Sequence, residues 1–458
     1  MKFGLVIAGY DPTSSAGVVL DALTFRMLGI YPLTVVTTLT VQTPNKVQRV
    51  VTVDPQYVDE TLDTLTRHFK VEAVKIGVLG SAEIANVVAN YIENIEAPIV
   101  LDPVIRAGDG TLLTDPATLK VIEDRILPRC TVVTPNIHEA EILAELEIRT
   151  VDDMKHAAET IAKKYGIEHV LIKGGHLPQG EFIMDVLYDR GNVYVFSSRR
   201  INTKDVHGTG CVLSSALAAF LAQGYDVPSA VREARKIVEH NIAFSIDVGY
   251  ERNLSNVFSY IDLELERCRV IRKLKEALEI LEASSQYVVD LIPEVRSNIA
   301  YALPATYVRG LEDVAGVPGR ITAIDKKIVY FSEPKFGASK HLGRAILTMM
   351  KYFPSIRACM NIKYEPELVE IAKKLGFRVA FFDRREEPEE IKHVEGRTMQ
   401  WGIERAVREL KEPPDIVYDL GDWGKEPQIR VFGKDPVEVV YKVIRLGIEY
   451  LKLKERQI

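Results

Sequence analysis

The stretch NTKDVHGTGCVLSSALAAFLAQGY (residues 202–225) runs from a glycine-containing loop directly into an apolar segment. The apolar segment predicts a helix that begins at the Gly-Thr-Gly triplet, beside Cys211. The first backbone N–H groups of a helix have no partner within the helix and point toward whatever docks at that end. The stretch therefore predicts a helix N-terminus that can receive an anionic group.

Gly208 and Gly210 let a phosphate come close to this helix end, because neither residue carries a Cβ atom. Cys211 follows at the positive end of the helix dipole, where we expect the pKa of its thiol to fall. A thiolate there can accept a proton from a substrate hydroxyl while the amides stabilise a transferring phosphoryl group. The alternative is that Cys211 is a small packed side chain and that the glycines only turn the chain.

Residues 1–260 alternate short apolar runs with helical patterns, which is typical of βαβ units and a parallel sheet. The strand candidates are FGLVIAG, PLTVVTTLTV, VEAVKIGVL, APIVLDPV, CTVVTPN and HVLIKGG. Helices are predicted between them, for example over residues 81–95 and 151–165. Each strand candidate ends in Gly, Pro, Asp or Asn, at the edge where an open parallel sheet binds its ligands.

Polar side chains lie in the loops after these strands; they are Asp11, Gln42, Asp102, Asn136, Glu139, Lys173 and His176. Each has an ordinary alternative, such as Asp102 as a turn former, Asn136 as a helix cap or Lys173 as a surface charge. Together they place carboxylates, amides and a lysine at one sheet edge, which is typical of a kinase that uses a magnesium nucleotide. No GxxxxGK[ST] pattern occurs, which excludes the P-loop class.

The length of 458 residues predicts two domains. We place the first at residues 1–260 and the second, smaller one at residues 289–458, where a second αβ pattern follows. The segment between them, residues 261–288, is charged and has helical periodicity. It is assigned as a connecting helix, and the alternative is that it opens the second domain.

The composition excludes several classes of protein. Hydrophobic residues make up 47% and charged residues 27%, which is ordinary for a globular chain, and the net charge of -6 argues against a dedicated nucleic-acid or acidic-membrane binder. Four scattered cysteines without a CxxC pair predict no disulfide framework and fit a reducing cytoplasm. The N-terminal segment indicates a first strand rather than a signal peptide, and no apolar run approaches a membrane span.

Seven motifs occur in the order found in hydroxymethylpyrimidine and phosphomethylpyrimidine kinases, which are ribokinase-like enzymes of thiamine biosynthesis. They are IAGYDPTSSAG, KIGVLGS, VLDPV, TPNIHEAE, KGGH, DVLYD and HGTGC. The chain resembles this family over about residues 1–255. The resemblance implies a ribokinase-like α/β fold with a parallel sheet. It also implies two successive phosphorylations of 4-amino-5-hydroxymethyl-2-methylpyrimidine, with ATP and Mg²⁺.

The resemblance also implies roles for individual residues. Gly208, Gly210 and Cys211 form the anion hole and the base position. The implied substrate-binding residues are Asp11, Asp21 and Gln42, the ATP-binding residues are Lys173, Asn136, Glu139 and Thr209, and the magnesium ligands are Asp102 and Glu139. One departure is that the family loop often reads Ser-Gly-Gly-Ala-Gly, whereas this chain has Ser14-Ser15-Ala16-Gly17.

The second half carries cationic residues near glycines: Arg320 follows Pro-Gly, and His341 follows Gly-Ala-Ser-Lys. A helix is predicted to begin at Gly337 or Ser339, and its N-terminus favours an anion. From the residues alone, an anion site and an ordinary surface role stay equally open. The run DRREEPEE is most typical of a solvated charged face.

Five further motifs resemble the thiamine-phosphate synthase domain that archaeal-type proteins carry behind the pyrimidine kinase. They are YALPATYVRGLEDVAGVPGRI, FGASKHLGR, MNIKYEPELVEIAKKLGF, DRREEPEE and DLGDWGKEPQIRVFGKDPVEVV. The implied reaction joins the pyrimidine diphosphate to 4-methyl-5-(2-phosphoethyl)thiazole and releases diphosphate. The implied residues are Arg320 and His341 as catalytic cations, Lys340, Arg344 and Asn298 for substrate, and Asp419, Asp422 and Glu426 as magnesium carboxylates.

Two alternatives stay open at this point. Domains like the second half also occur as thiamine-phosphate sensors, so that half could be a silent regulator of the kinase. The first half could also phosphorylate pyridoxal, because pyridoxal kinases share much of its pattern. The predicted partners are small molecules only, without nucleic acid or membrane, and analogy predicts a homodimer in the cytoplasm.

Overall fold

The computed structural model describes residues 1–175, 180–388, 390, 397–422 and 426–456. The chain divides into two compact units, Met1–Ile261 and Asp262–Ile458. Each unit has its own hydrophobic core, and each is described by itself below. Among the described helices, none combines the length and the apolar character that crossing a membrane requires.

The first unit is built on a nine-stranded sheet with the strand order β3-β2-β1-β4-β5-β6-β7-β8-β9. The pairs from β2 to β7 are parallel, while β3, β8 and β9 pair antiparallel at the two ends. The strands are β1 (Lys2–Tyr10), β2 (Ile30–Gln42), β3 (Val47–Thr52), β4 (Val71–Ile76), β5 (Ile99–Leu101), β6 (Val132–Val133), β7 (His169–Ile172), β8 (Phe182–Asp189) and β9 (Asn192–Arg199), with a separate parallel pair, β10 (Val206–His207) and β11 (Asn253–Leu254). The α/β class with a parallel sheet is confirmed.

Helices cover both faces of this sheet, because alternate side chains of the central strands enter two different cores. On β1, Leu5 and Ile7 enter one core, while Val6 and Ala8 enter the other. The helices are α1 (Gly17–Met27), α2 (Pro55–His68), α3 (Ala82–Ile92), α4 (Pro116–Val121), α5 (Ile137–Ala144), α6 (Val151–Tyr165), α7 (Thr209–Ala222) and α8 (Val227–Ala243). α6 has the bounds that the sequence predicts, and α3 ends three residues earlier than predicted.

Helix α7 is buried almost all round, since every residue from Val212 to Ala222 is buried. It packs between α1 and α8 over the sheet. A helix that is apolar on every side has no solvent-facing stripe, which explains why the sequence shows a continuous apolar run there. The polar start of α7 consequently points out of the core at the sheet edge.

The second unit begins with two helices, α9 (Ser259–Ala283) and α10 (Ser285–Val288). Val270, Leu274 and Leu281 of α9 are buried in the core of this unit together with strand residues. The segment 261–288, assigned as a connecting helix with the opening of the second domain as the alternative, thus contributes buried side chains to the core of the second unit.

The second unit has a seven-stranded sheet with the order β16-β13-β12-β17-β20-β19-β18, in which only the β18–β19 pair is parallel. Its strands are β12 (Ile299–Ala302), β13 (Val314–Gly316), β16 (Lys335–Phe336), β17 (Ala358–Lys363), β18 (Val379–Phe381), β19 (Ile416–Asp419) and β20 (Gln428–Gly433), and a hairpin of β14 (Ile321–Ile324) and β15 (Lys327–Tyr330) stands apart. The remaining helices are α11 (Lys340–Tyr352), α12 (Pro366–Lys374), α13 (Arg397–Val407) and α14 (Pro436–Glu455). α11 and α13 line one core, while α9, α12 and α14 line the other.

Gly208, the residue before α7, lies where no other residue fits. Its φ of +88° is in the left-handed region, and a Cβ atom there would lie 1.7 Å from the Ser15 carbonyl oxygen. The hydroxyl of Ser15 donates to the His207 carbonyl (3.1 Å) and accepts from the Ser255 N–H (2.7 Å), so the first loop is attached to the α7 approach from several directions. Ser14, where the related loop often has glycine, adopts a φ of +56°. Ser14 thus adopts the turn conformation of the loop, and Ser15 fixes the loop with its hydroxyl.

We expect Gly208→Ala to destabilise the first unit by about 3 kcal/mol or more, since the clash adds to the strain of a positive φ. Gly166→Ala is the matched control: Gly166 also has a positive φ (+68°), but a Cβ atom would meet nothing within 4 Å. That change should cost only about 1 kcal/mol. Calorimetric unfolding of both variants measures the difference, and equal losses would mean that the contact with Ser15 does not constrain the loop.

Candidate active sites of the two units

Lys173 and Asp102 lie close to the N-terminus of α7 in the first unit. A Cβ atom on Gly210 would lie 3.3 Å from the Lys173 Nζ and 3.5 Å from the Asp102 Oδ2. Thr209 is the first residue of the helix, so its amide and the next ones lack helical partners. The helix end therefore brings free amides and a lysine together, and these groups can bind a phosphate, while the Asp102 carboxylate favours a cation beside it.

Lys173 is held in a charged state beside this helix end. Its Nζ lies 2.8 Å from the Oδ1 of Asp102, which is almost completely buried at the end of β5. Burial acts to lower the pKa of Lys173, but the nearby carboxylates of Asp102 and Glu139 outweigh it and raise that pKa. The structure thus brings together Lys173 and Asp102 as the resemblance implies.

Asn136 and Glu139 form a reciprocal cap at the start of α5. The Asn136 Oδ1 accepts from the Glu139 N–H (2.9 Å), and the Glu139 Oε2 accepts from the Asn136 N–H (2.8 Å). Burial raises the pKa of Glu139 to about 7; Lys173 opposes this shift and Asp102 adds to it. Asn136 therefore acts as a helix cap in this structure, and its side-chain oxygen is not available to a ligand.

Asp102 and Glu139 are the carboxylates that fit a magnesium ion in this unit. Within the described residues, no group of three or more His, Cys, Asp or Glu side chains is arranged to hold a metal. Mg²⁺ commonly takes one or two carboxylates and completes its shell with phosphate oxygens and waters. Burial is the main cause of the raised pKa of Glu139, and although Lys173 opposes it, the negative charge of nearby Asp102 adds to it, as expected for two carboxylates that can share a cation.

Cys211 does not behave as the sequence predicts. The sequence predicted a lowered thiol pKa at the helix N-terminus, yet the pKa of Cys211 is raised to about 12. Burial is the main cause; Lys75 acts against it, and the charges of Asp21 and Asp102 reinforce it. The thiol is therefore protonated at neutral pH, and the prediction of a ready thiolate base is wrong for the ligand-free chain.

Asp21 is completely buried and cannot contact a substrate, so its assignment as a substrate ligand is wrong. Its Oδ2 lies 2.6 Å from the Lys75 Nζ, and its Oδ1 accepts from the Ser215 hydroxyl (2.7 Å). Burial acts to lower the pKa of Lys75, but the Asp21 carboxylate outweighs it and raises that pKa. Asp21 lies in α1 and Ser215 in α7, so this group attaches both helices to β4 at Lys75.

Asp11 and Gln42 meet, together with a residue that the sequence analysis did not select. His207 donates from Nε2 to the Asp11 Oδ2 (2.9 Å), and the Gln42 Nε2 lies 3.5 Å from the same ring nitrogen. Burial acts to raise the pKa of Asp11, but hydrogen bonds from His207, Gln42 and Thr13 outweigh it and lower that pKa. His207 directly precedes Gly208, so its place in the HGTGC motif was the available signal. His176 lies outside the described residues.

Asp419 in the second unit is an ion-pair partner and not an open metal ligand. It is completely buried, its Oδ1 accepts from the Arg384 Nε (2.6 Å), and its Oδ2 accepts from the Arg430 Nη1 (2.7 Å). Burial acts to raise the pKa of Asp419, but Arg430 and Arg384 outweigh it and lower that pKa. The prediction of Asp419 as a magnesium carboxylate is therefore wrong, because both oxygens hold guanidinium groups. Asp422 is exposed.

Arg384 and Arg430 are cations that the sequence analysis missed. Arg384 belongs to the DRREEPEE run, where a solvated face is the common expectation, yet it is buried. Arg430 lies on β20 among apolar neighbours, and its Nε and Nη2 have no hydrogen-bond partner. A lone arginine in an apolar strand was the signal in the sequence. Together they give the interior of this unit a strong positive potential beside Asp419.

His341 lies in the first turn of α11 near these charges. Its side chain is exposed to solvent; desolvation by the protein around the ring lowers its pKa, and the charges of Arg430 and Arg384 lower it further. The sequence predicted a cationic His341, whereas the lowered pKa favours the neutral ring in the ligand-free chain. A neutral imidazole can still donate one hydrogen bond.

The other predicted residues of this unit divide into open and enclosed ones. Arg320 is exposed and donates to the Val295 carbonyl, while Lys340 and Arg344 lie on the first turns of α11. Asn298 is buried, and its Oδ1 accepts from the N–H groups of Ile299 (2.8 Å) and Val317 (3.0 Å).

Two of the predicted ligands thus have structural roles. The Asn298 side chain stabilises the backbone at the ends of β12 and β13, and Glu426 accepts from the N–H groups of Glu294 and Val295 (3.1 Å each). We therefore correct the roles of both: Asn298 is not placed to orient substrate, and the Glu426 carboxylate holds the loop beside Arg320.

We expect iodoacetamide to alkylate Cys211 at pH 8 at least about a hundredfold more slowly than a free thiol. Only the thiolate reacts, and each unit by which the thiol pKa rises lowers the thiolate fraction tenfold. The measurement needs Cys268→Ser as background, because Cys268 is exposed whereas Cys130 and Cys359 are buried. Cys211→Ser in that background gives the residual labelling. Fast labelling with a midpoint below about pH 9 would restore the original prediction of an activated thiol.

We expect Asp419→Asn to destabilise the second unit by about 3 kcal/mol, because two buried guanidinium groups lose their counter-charge. Asp325→Asn, the matched control at an exposed turn position of the same unit, should stay within about 0.5 kcal/mol. The sequence has two tryptophans, at positions 401 and 423, and none in residues 1–261, so urea unfolding followed by tryptophan fluorescence does not report on the first unit. Similar values for the two variants would contradict the structural role of Asp419.

Two family models match the chain: Phosphomethylpyrimidine kinase over residues 11–256, and Thiamine-phosphate synthase ThiN over residues 273–445. A bifunctional thiamine biosynthesis protein ThiDN from Methanocaldococcus jannaschii is 34% identical over 445 residues, which covers 96% of this chain and 97% of that protein. A thiamine-phosphate synthase ThiN from Methanothermobacter thermautotrophicus is 38% identical over 184 residues, covering 40% of this chain and 95% of its own.

Among solved structures, the pyridoxal kinase of Bacillus subtilis in its ADP complex has a TM-score of 0.52 at 31% identity, covering 57% of this chain and 98% of its own. This likeness confirms the predicted ribokinase-like fold. The two family models and the full-length relative confirm the resemblance that the motifs indicated. The chain belongs to the family of bifunctional thiamine biosynthesis proteins, in which a phosphomethylpyrimidine kinase and a thiamine-phosphate synthase form one polypeptide.

Proposed function

We propose that the chain is a bifunctional enzyme that makes thiamine monophosphate. The first unit phosphorylates 4-amino-5-hydroxymethyl-2-methylpyrimidine with ATP, first to the monophosphate and then to the diphosphate. The second unit couples that diphosphate to thiazole phosphate. The observation that supports this most strongly is the approach of Lys173 and Asp102 to the N-terminus of α7 at Gly210, within a chain that matches a bifunctional relative over 96% of its length.

In the kinase reaction the substrate oxygen attacks the γ-phosphorus of ATP, the bond to the β-phosphate oxygen breaks, and ADP leaves. Lys173 and the first amides of α7 stabilise the charge on the transferring group, which is the main requirement of such a loose transition state. Cys211 lies beside the second of the two glycines as a protonated thiol. Positioning and electrostatic stabilisation therefore carry this step, and the hydroxyl proton passes late to an oxygen of the transferred phosphate, which releases it to solvent.

Asp102 and Glu139 are the residues that would hold magnesium in the kinase. When bound, Mg²⁺ supplies positive charge to the phosphates of ATP. The raised pKa of Glu139, about 7, means that this carboxyl loses its proton near neutral pH. Glu139 thus becomes a better cation ligand as the pH rises through 7.

The group of Asp11, Gln42 and His207 is proposed to bind the pyrimidine. The Gln42 amide has both a donor and an acceptor, which matches the edge of an aminopyrimidine. Asp11 stays ionised because its hydrogen bonds lower its pKa, so it offers an acceptor to an amino group. Substrate recognition in this account depends on an aspartate that His207 orients.

In the synthase reaction the thiazole nitrogen attacks the methylene carbon of the pyrimidine, and the diphosphate leaves with the electron pair of the C–O bond. Charge stabilisation of the leaving group is the main task of the protein. Arg320 and the N-terminus of α11 offer exposed donors, while buried Arg384 and Arg430 add positive potential. His341 is proposed to donate a hydrogen bond to a phosphate oxygen from its neutral ring.

The two alternatives are not favoured. The full-length relative is named as bifunctional, and the relative that matches the second half alone is named as a synthase, not as a sensor. The structures of pyridoxal kinases share the fold of the first unit, but the family model that matches it is that of phosphomethylpyrimidine kinase. The homodimer and the cytoplasmic location remain predictions.

We expect Gly210→Ala and His341→Ala to fail at different steps. The alanine methyl would lie 3.3 Å from the Lys173 Nζ and displace it, so pyrimidine phosphorylation should fall by about a hundredfold or more, while added pyrimidine diphosphate still yields thiamine monophosphate. His341→Ala should show the reverse pattern. Chromatography of the phosphorylated products measures both activities in each variant.

Lys351→Ala is the control for His341→Ala, because it changes an exposed residue at the other end of the same helix. An equimolar mixture of Gly210→Ala and His341→Ala should make thiamine monophosphate from the pyrimidine alcohol, since each chain supplies the step that the other lacks. Loss of both activities in either single variant would contradict the division of labour between the units.

A further inference from the structure

A buried ion pair lies directly behind the lysine of the kinase site. Asp185 on β8 and Arg235 on α8 are both at least nine-tenths buried. The Arg235 Nε donates to the Asp185 Oδ2 (2.8 Å), while the other oxygen, Oδ1, accepts from the backbone N–H of Gly174 (2.8 Å). One carboxylate therefore joins a helix to the peptide that follows Lys173.

The peptide at Gly174 has little freedom around this contact. The backbone pairing of β7 with β8 ends at Ile172 and Val186. Beyond that pair, the Asp185 side chain on β8 accepts the hydrogen bond from the Gly174 N–H. A Cβ atom on Gly174 would lie 1.8 Å from the Met184 carbonyl oxygen, so the backbone at Gly174 packs directly on the backbone of β8.

On the other side, the Lys173 N–H donates to the Pro135 carbonyl (2.9 Å). Contacts from both sides thus fix the backbone of Lys173, whose Nζ reaches Asp102.

Arg235 is itself held from a third element. Its Nη2 donates to the Ser198 hydroxyl (2.9 Å), and its guanidinium lies 5.5 Å from the ring of Phe196, both on β9. A buried ion pair is a costly way to stabilise a core, because apolar side chains of the same size often do so equally well. The pair is therefore better explained by the geometry that it imposes on Gly174 and Lys173.

We propose that Asp185 and Arg235 form a positioning pair that sets Lys173 for phosphoryl transfer from ATP. The proposal rests on the kinase function proposed above, and it gives a role to the DVLYD motif, in which Asp185 is the first residue. Neither residue touches substrate in this account. The pair acts through the Gly174 N–H, so its loss should impair the use of ATP and leave the binding of the pyrimidine unchanged.

Two double variants separate positioning from stability. Asp185→Leu with Arg235→Met removes the charges and also the acceptor for Gly174. Asp185→Asn with Arg235→Met removes the same charges but keeps an oxygen that can accept from Gly174. We expect the first to lower kcat/KM for ATP by about ten- to hundredfold with KM for the pyrimidine unchanged, and the second to stay within about threefold of the unmodified chain.

Steady-state kinetics with each substrate varied, together with Tm, measure the effect, and synthase activity with supplied pyrimidine diphosphate is the internal control. Equal losses in the two double variants would overturn the proposal whether or not Tm falls. If the leucine–methionine variant does not fold, Arg235→Lys takes its place: a selective rise in KM for ATP supports positioning, and equal changes for both substrates overturn it. An unmodified chain without kinase activity would instead contradict the proposed function.

Discussion

The kinase site depends on one close contact, in which the Ser15 carbonyl lies so near Gly208 that no side chain fits between them. This contact forces the left-handed turn from which α7 begins. The turn directs the first amides of α7 toward Lys173 and Asp102, and it places His207 beside Asp11. Phosphate binding and substrate binding therefore depend on the same backbone turn, because it positions both His207, which contacts Asp11, and Thr209, which begins α7.

Buried charges perform the positioning elsewhere in the molecule. The interior carboxylates each hold a cation and attach separate elements: Asp21 with Lys75, Asp102 with Lys173, Asp185 with Arg235, and Asp419 with Arg384 and Arg430. Such groups cost desolvation energy, and breaking a pair leaves an uncompensated charge. Their common use here is to orient cations, which is what enzymes acting on phosphates require.

The sequence predicted correctly those features that depend on residues close to one another in the chain, such as helix bounds. The helix over residues 151–165 is recovered because Thr150 and Asp153 cap it reciprocally. Residues whose roles depend on distant partners were misassigned: Asp21 was predicted to bind substrate like Asp11, and only the fold shows that Asp21 is buried against Lys75. Arg384 shares a charged run with exposed Arg385, and its burial depends on Asp419, 35 residues further along the chain. The pKa values of Cys211 and His341 depend on burial, which spacing cannot supply.

The central claim is that one chain performs both the phosphorylations and the coupling. Mass spectrometry of the products tests it most directly, with purified protein, Mg-ATP, the hydroxymethyl pyrimidine and thiazole phosphate in one reaction. The account predicts thiamine monophosphate as the final product. Accumulation of pyrimidine diphosphate without thiamine monophosphate would contradict it, because the second unit would then lack the coupling activity.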